Sequence, residues 1–348
     1  MKIRALSRIT VVLYFCLLTA PALLAGCSNS VDSSAEKNDA GTGLDAAIAD
    51  EDTGPDAGDG DNGADGSVDG SADTGCRWRK IYEGAGYFHG IWGASTSDLF
   101  VTGGSESESD SIGIILHYDG VSWSGMNIPE DIPGLVSIWG SSDTDVFAVG
   151  NKSGLILHFN GDEWEKMHEY GDMPMMDIWG STGSDVFAVG YKTGGGVNTN
   201  RILHYDGTKW SFMPPDFSGG MYGVWGSSGN DVYFVGGKQI STAIILHYDG
   251  HELSEMKTDI QFKVFMDIIG FSFSEIFAVG VIEITGPDPN YYNSGIIQYD
   301  GDSFVMIKDG IKEMLNCIGG SSGLDIYVSG IEFNETDGTT PERSVIYH

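Results

Sequence analysis

Basic residues are scarce in this chain: 18 lysines and arginines stand against 50 aspartates and glutamates in 348 residues, a formal net charge of −32. A surface that negative repels phosphate backbones, so no nucleic-acid partner is expected. Charged residues as a whole are also few, 20% of the chain, whereas glycines number 51. Long amphipathic helices need the reverse, and the composition points instead to many short strands joined by tight turns. Missing too are a serine nucleophile elbow, a phosphate-binding glycine loop and any zinc-type spacing, so no cofactor or metal is expected. What is present suffices for a sizeable core, with 41% hydrophobic and 11% aromatic residues over about two domains' worth of length.

The only long apolar run, from about Ile9 to Leu24, follows Lys2, Arg4 and Arg8 and closes on Leu24-Ala25-Gly26-Cys27. The run is short of the roughly 20 residues that span a bilayer and is interrupted by Thr19 and Pro21, against a transmembrane anchor. A basic start, an apolar run and small residues before a cysteine resemble the signal and lipobox of bacterial lipoprotein precursors. The resemblance implies a signal peptide over residues 1–26, and membrane attachment through acyl chains on Cys27. Each buried CH₂ would contribute roughly 0.8 kcal/mol of membrane affinity. Ser28 stands where an inner-membrane retention signal would place Asp, which favours the outer membrane. The expected location is therefore the bacterial envelope, facing the periplasm or the exterior.

Residues 28–75 hold 13 Asp/Glu, one lysine (Lys37) and no aromatic residue. Such a segment cannot bury enough apolar surface to offset its ordering entropy, so residues 27–75 are expected to form a disordered, self-repelling linker. Asp61, Asp65, Asp69 and Asp73 invite a calcium reading. An EF-hand loop starting at Asp61 would, however, need ligands where Gly63 and Ala72 stand.

From residue 76 the chain repeats itself. Ile-Trp-Gly-Ser-Ser-x-x-Asp-Val-Phe-Ala-Val-Gly is followed, after a variable loop, by Ile-Leu-His-Tyr-Asp-Gly-x-x-Trp. The first glycine recurs at Gly93, Gly140, Gly180, Gly226, Gly270 and Gly320, at intervals of 47, 40, 46, 44 and 50 residues. That period matches a four-stranded propeller blade, so residues 76–348 are expected to form an all-β, six-bladed β-propeller of antiparallel blades. Asp-Gly or Asn-Gly supplies the positive-φ residue of the last hairpin turn. The sixth copy stops at Ile346-Tyr347-His348, before its fourth strand, and Trp78-Arg79-Lys80-Ile81 resembles Trp164-Glu165-Lys166-Met167. Residues 77–82 are therefore expected to complete the last blade and cover its edge. A phasing in which each blade begins with this Trp strand stays open. Val-Gly-Gly, Tyr-Asp before a turn and Trp in the fourth strand resemble Kelch-type propellers, with Asp-box and other bacterial repeats as near relatives. The resemblance implies the fold and leaves function open. The chain departs from Kelch in carrying Ile-Trp-Gly where that family has an arginine-containing strand.

Residues that recur in every copy belong to the frame. His117, His158, His204, His247 and His348 occupy one position per blade, with Gln298 in the fifth. Spread radially, they cannot meet on one metal ion and are expected to bond between strands. Asp98, Asp145, Asp185, Asp231, Glu275 and Asp325 are expected to accept backbone N–H groups in the turn after the first strand. The repeated tryptophans are expected between blades.

Recognition is sought where the copies differ. Three residues before each Trp-equivalent stand His89, Val136, Met176, Tyr222, Met266 and Asn316, a mixed apolar set at the expected channel mouth. They are candidates for receiving a ligand or a partner's side chain; filling of the channel end is an equal alternative. The loops 103–113, 191–201, 280–295 and 330–344 are long and share a face, and Tyr291 and Tyr292 are further candidates. Arginine is too sparse, at Arg77, Arg79, Arg201 and Arg343, for a sialidase-like carboxylate site. Glu106, Glu108, Asp110, Glu283, Asp288, Glu332 and Glu335 offer carboxylates for glycoside hydrolysis, but no spacing selects two of them. With Cys16 removed and Cys27 lipidated, Cys76 and Cys317 remain, and placement on distant strand ends predicts no disulfide between them. The expected function is a lipid-anchored binding module for an envelope protein or glycan. A carbohydrate-active hydrolase or lyase is the alternative from another class, and a purely structural envelope component a third.

Overall fold

The computed structural model describes residues 87–105, 112–194, 198–214, 217–238, 242–284, 292–333 and 341–348. The signal segment, Cys27, the acidic linker, Cys76 and the expected closing strand at 77–82 lie outside them. Each copy of the repeat folds into one antiparallel sheet whose strands lie side by side in chain order. Five sheets, over residues 87–125, 135–168, 175–212, 219–256 and 264–311, have four strands, and the sixth, over 314–347, has three among the described residues. Together they make a six-bladed propeller. The Ile-Trp-Gly strand is first in every blade and the strand after the Asp-Gly turn is fourth, so the alternative phasing is excluded.

Local chemistry explains the turns. Asp119 Oδ1 accepts the backbone N–H groups of Val121 and Ser122 at 2.9 and 2.8 Å. Asn160, Asp206, Asp249 and Asp300 do the same in their blades. The glycine that follows adopts φ between +85° and +98° in all five turns, where a Cβ would be strained. The N–H three residues on, and then the one two residues on, hold the Asp119 carboxyl below its usual range.

Every first strand carries two β-bulges. One falls at His89, Val136, Met176, Tyr222, Met266 or Asn316, which the register leaves without an opposite residue. The other follows the Trp-Gly pair, at Ala94, Ser141, Ser181, Ser227, Phe271 or Ser321. The first bulge explains the glycine that closes the Val-Phe-Ala-Val-Gly run. A Cβ on Gly103, Gly190, Gly236 or Gly280 would stand 2.0–2.2 Å from a carbonyl oxygen in or directly before the first strand.

The core lies between blades. Five apolar clusters fill the interfaces between successive blades, four of them around fully buried Phe100, Phe147, Phe187 with Phe234, and Phe265, and the fifth around Phe277 and Leu315. As expected of the repeated tryptophans, Trp92, Trp139, Trp179 and Trp225 each lay a ring edge on the glycine of the following blade, Gly140, Gly180, Gly226 and Gly270. Farther out, the Trp164 and Trp210 indoles donate to Met126 and Met167 Sδ of the preceding blade, at 3.3 and 3.2 Å.

The cysteine expectation requires correction. Cys317 is disulfide-bonded, and its partner lies outside the described residues. The geometric exclusion placed Cys317 at a strand end, whereas it sits in the middle of Met314–Ser322, directly after the bulge.

Two glycine substitutions test the bulge argument. Gly236→Ala, whose Cβ would meet Gly220 O at 2.1 Å, should lower unfolding free energy by about 2 kcal/mol or more. Gly125→Ala, with open space around its Cβ, should change it by less than about 1 kcal/mol. Urea denaturation of both variants measures the contrast, and equal effects would contradict it.

Candidate functional site

The repeated histidines and aspartates pair within each blade. His117, His158, His204 and His247 donate from Nε2 to Oδ1 of Asp98, Asp145, Asp185 and Asp231 at 2.6–2.8 Å, and His348 donates to Asp325 at 3.1 Å. Each imidazole also lies against the aromatic ring of the second strand, tilted for His117 on Phe100 and stacked for the others, as His204 is on Phe187 at 4.4 Å. The second oxygen of Asp145, Asp185, Asp231 and Asp325 accepts the hydroxyl of the bulged serine four residues earlier. The aspartates thus open the second strand and bind side chains, where turn backbone was expected.

Serine, aspartate and histidine in contact superficially suggest a nucleophile. Here the aspartate is the middle member, so no imidazole is placed to take the serine proton. The set is a frame device. Blade one keeps the Asp98–His117 pair with Ala94 in the serine position, and blade five replaces all three members with Phe271, Glu275 and Gln298.

The first strands of all six blades surround a cavity of about 840 Å³. At one end it meets the bulge residues His89, Val136, Tyr222 and Met266, and at the other Ser95, Asp98, Ser142 and Asp143. Trp92, Trp139, Trp179 and Trp225 wall it between. In blades one, two and five the bulge places two consecutive residues against the space, adding Gly90, Ser137 and Asp267 to the expected set, and in blade three Asp177 lines it.

The expected mouth residues divide. His89 and Tyr222 are part-exposed, while Val136, Met176, Met266 and Asn316 are buried. Met176 and Asn316 do not line the cavity. Burial lowers the His89 pKa, leaving a neutral imidazole, and burial followed by the neighbouring Tyr191 charge pushes the Tyr222 phenol up to about 12. Tyr292 begins a strand that pairs it with Ile284, and Tyr291 lies outside the described residues. So do the loop carboxylates Glu106, Glu108, Asp110, Asp288 and Glu335. Glu332 accepts from Arg343 Nε.

Asp177 and Asp267 were missed by the sequence reading. Asp177 Oδ1 accepts Ser137 Oγ of blade two at 2.7 Å and its neighbour Ile178 N at 2.9 Å. Asp177 Oδ2 accepts Val224 N of blade four at 2.9 Å. Asp267 Oδ1 accepts Ile268 N at 2.8 Å, and Oδ2 accepts Ile318 N of blade six at 2.9 Å. Both carboxyls face the cavity and are otherwise surrounded by protein. Desolvation is therefore the first cause that raises both, Asp177 to about 6, while the Asp177 charge adds to the rise at Asp267. With fewer donors, Asp267 is the member that retains a proton more readily.

No protein-family model matches the chain, and no curated protein matches it. Among solved structures it is similar to YCF48 bound to D1 peptide, at 14% identity over 73% of this chain and 79% of that one, with a TM-score of 0.46. It is also similar to an acylaminoacyl peptidase in complex with Z-Gly-Gly-Phe-chloromethyl ketone, at 12% identity, 71% and 43% coverage and a TM-score of 0.47. A third is the tricorn protease, at 9% identity, 75% and 31% coverage and a TM-score of 0.49. The chain thus spans less than half of either peptidase chain, and likeness at this distance says nothing of activity.

The raised carboxyls set a pH dependence. Their folded pKa exceeds the unfolded value, so they favour the folded state below about pH 4 and cost stability as pH rises, for Asp177 through about 6. Between pH 4 and pH 8 the stability of Asp267→Asn relative to the parent should shift in the variant's favour. Urea midpoints at both pH values measure this; a pH-independent difference would contradict it.

Proposed function

We propose that the chain is an envelope lipoprotein whose propeller is a binding module, engaging a partner at the bulge end of its channel. The observation that carries the reading is the cavity of about 840 Å³ bounded there by His89, Val136, Tyr222 and Met266. It offers apolar contact, one phenol and one neutral imidazole, a mixture suited to a side chain entering from outside. All six mouth positions are bulges, so the scaffold re-aims residues there without disturbing the blade pairing behind them.

The anchoring half of the reading is supported by the lipobox at Leu24–Cys27 and by the acidic composition of residues 28–75. Fully extended, a tether of that length reaches up to about 160 Å from the membrane surface, and its self-repulsion favours extension. The repeat pattern supports a Kelch-like or Asp-box-like type. A hydrolase built on loop carboxylates has no comparable support, since the described Glu332 is engaged by Arg343.

Tyr222→Ala should reduce recovery of the bound partner from envelope extract by about tenfold, the effect of losing one buried aromatic anchor. Equal recovery by variant and parent would remove the mouth from the binding surface. Separately, Cys27→Ser should move the protein from the membrane to the soluble fraction on cell fractionation, and unchanged membrane association would remove the lipid anchor.

A further inference from the structure

We propose that the channel centre receives a cation carried on an apolar stem, the ammonium or guanidinium of a partner's lysine or arginine side chain, between Asp177 and Asp267. The inference rests on the channel being the binding site and narrows the partner to a protein.

Three observations converge. First, the carboxylates are exceptional in their ring. The equivalent positions are Gly90, Ser137, Gly223 and Cys317, so neither repeat architecture nor packing demands an acid in blades three and five. Second, their charge is not offset. The titratable groups lining the cavity are His89, Asp98, Asp143, Asp177, Asp267 and Tyr222, with no lysine or arginine, and His89 is kept neutral by burial. Asp98 is already engaged by His117. Third, tryptophans wall the cavity beside and beyond the carboxylates, and their faces attract cations.

Five hydrogen-bond donors fix the two carboxylates in place. Two carboxylates offer about eight lone-pair sites, so about three remain for a ligand's N–H groups. A bare divalent ion needs a fuller oxygen shell. Among the described residues no three His, Cys, Asp or Glu are grouped to hold one. An alkyl cation, by contrast, supplies its own donors and sets its charge beside the tryptophan rings. It also replaces the proton that the pair otherwise retains, so its binding should release a proton and tighten from pH 5 to pH 8. Retaining an uncompensated carboxylate pair costs stability, which a binding role accounts for.

Tryptophan emission reports on the cavity wall, and n-butylammonium, n-butylguanidinium and n-butanol serve as probes. At pH 7 the two cations should bind at least about tenfold more tightly than the alcohol, and more weakly at pH 5. Asp267→Asn, which keeps the better-anchored Asp177, should bring cation and alcohol to within about threefold of each other. Its fold is checked by its urea midpoint, and proton uptake or release by the unmodified protein is an independent readout. If the alcohol binds as well as the cations, or if Asp267→Asn keeps the full preference, the cation site is overturned while the channel survives as a pocket. If no probe changes the emission, the cation site and the channel reading fall together.

Discussion

Blades one to four each lean on the next through an indole edge laid against a glycine. With Trp92 on Gly140 or Trp139 on Gly180, a Cβ on the glycine would stand 2.6–2.7 Å from the ring, closer than any side chain tolerates. The contact fixes blade spacing near the axis, where six strands converge and little room is left. It also explains why the Trp-Gly dipeptide repeats as a unit, since the tryptophan of one copy needs the glycine of the following copy. Blade five substitutes Ile269, and Phe271, 3.2 Å from the Cβ position of Gly320, takes over the contact with blade six. That larger ring occupies the bulge position that holds a serine in four of the other blades, and the same blade also carries Glu275 and Gln298 in place of the aspartate and histidine.

The bulges connect this packing to the channel. An unbroken strand would send alternate residues to opposite sides, leaving one position in two for the channel wall. The extra residue turns two neighbours toward the cavity, and the second strand accommodates the displaced backbone by carrying glycine at 103, 190, 236 and 280. The recurrent glycine and the variable mouth residue are thus two sides of one distortion. The frame stays constant on the second strand while chemistry varies on the first.

The fold was legible because the repeat appears six times and its turn chemistry is explicit. Gly93 to Gly320 set the blade count, and the Asp-Gly pairs marked hairpins whose glycines do have positive φ. Legibility failed where strand periodicity fails. His89 and its equivalents were chosen by counting three residues back from the tryptophan, which found the bulge position, but the bulge itself was not foreseen. Asp177 and Asp267, one residue farther on, therefore passed as ordinary strand residues. A signal was available: four small residues and two acids at one column of the repeat. Cys317 occupies that column as well, so reading it as a strand-end residue misjudged its reach.

A propeller of this kind separates stability from recognition along each inner strand. The bulged serine and the opening aspartate of the second strand face each other at one end, joined by hydrogen bonds that every intact copy repeats. The column between bulge and tryptophan is free of that duty, because its neighbours reach across to adjacent blades through backbone N–H groups rather than side chains. An acid placed there keeps those N–H groups satisfied and still presents oxygen to the axis. Ser137 shows the neutral form of the same arrangement, donating to Asp177 where an acid in its place would add a third charge. The number of carboxylates in the ring is therefore a free variable of the scaffold, and two of them, separated by the glycine of blade four, set the charge that anything entering the channel must answer.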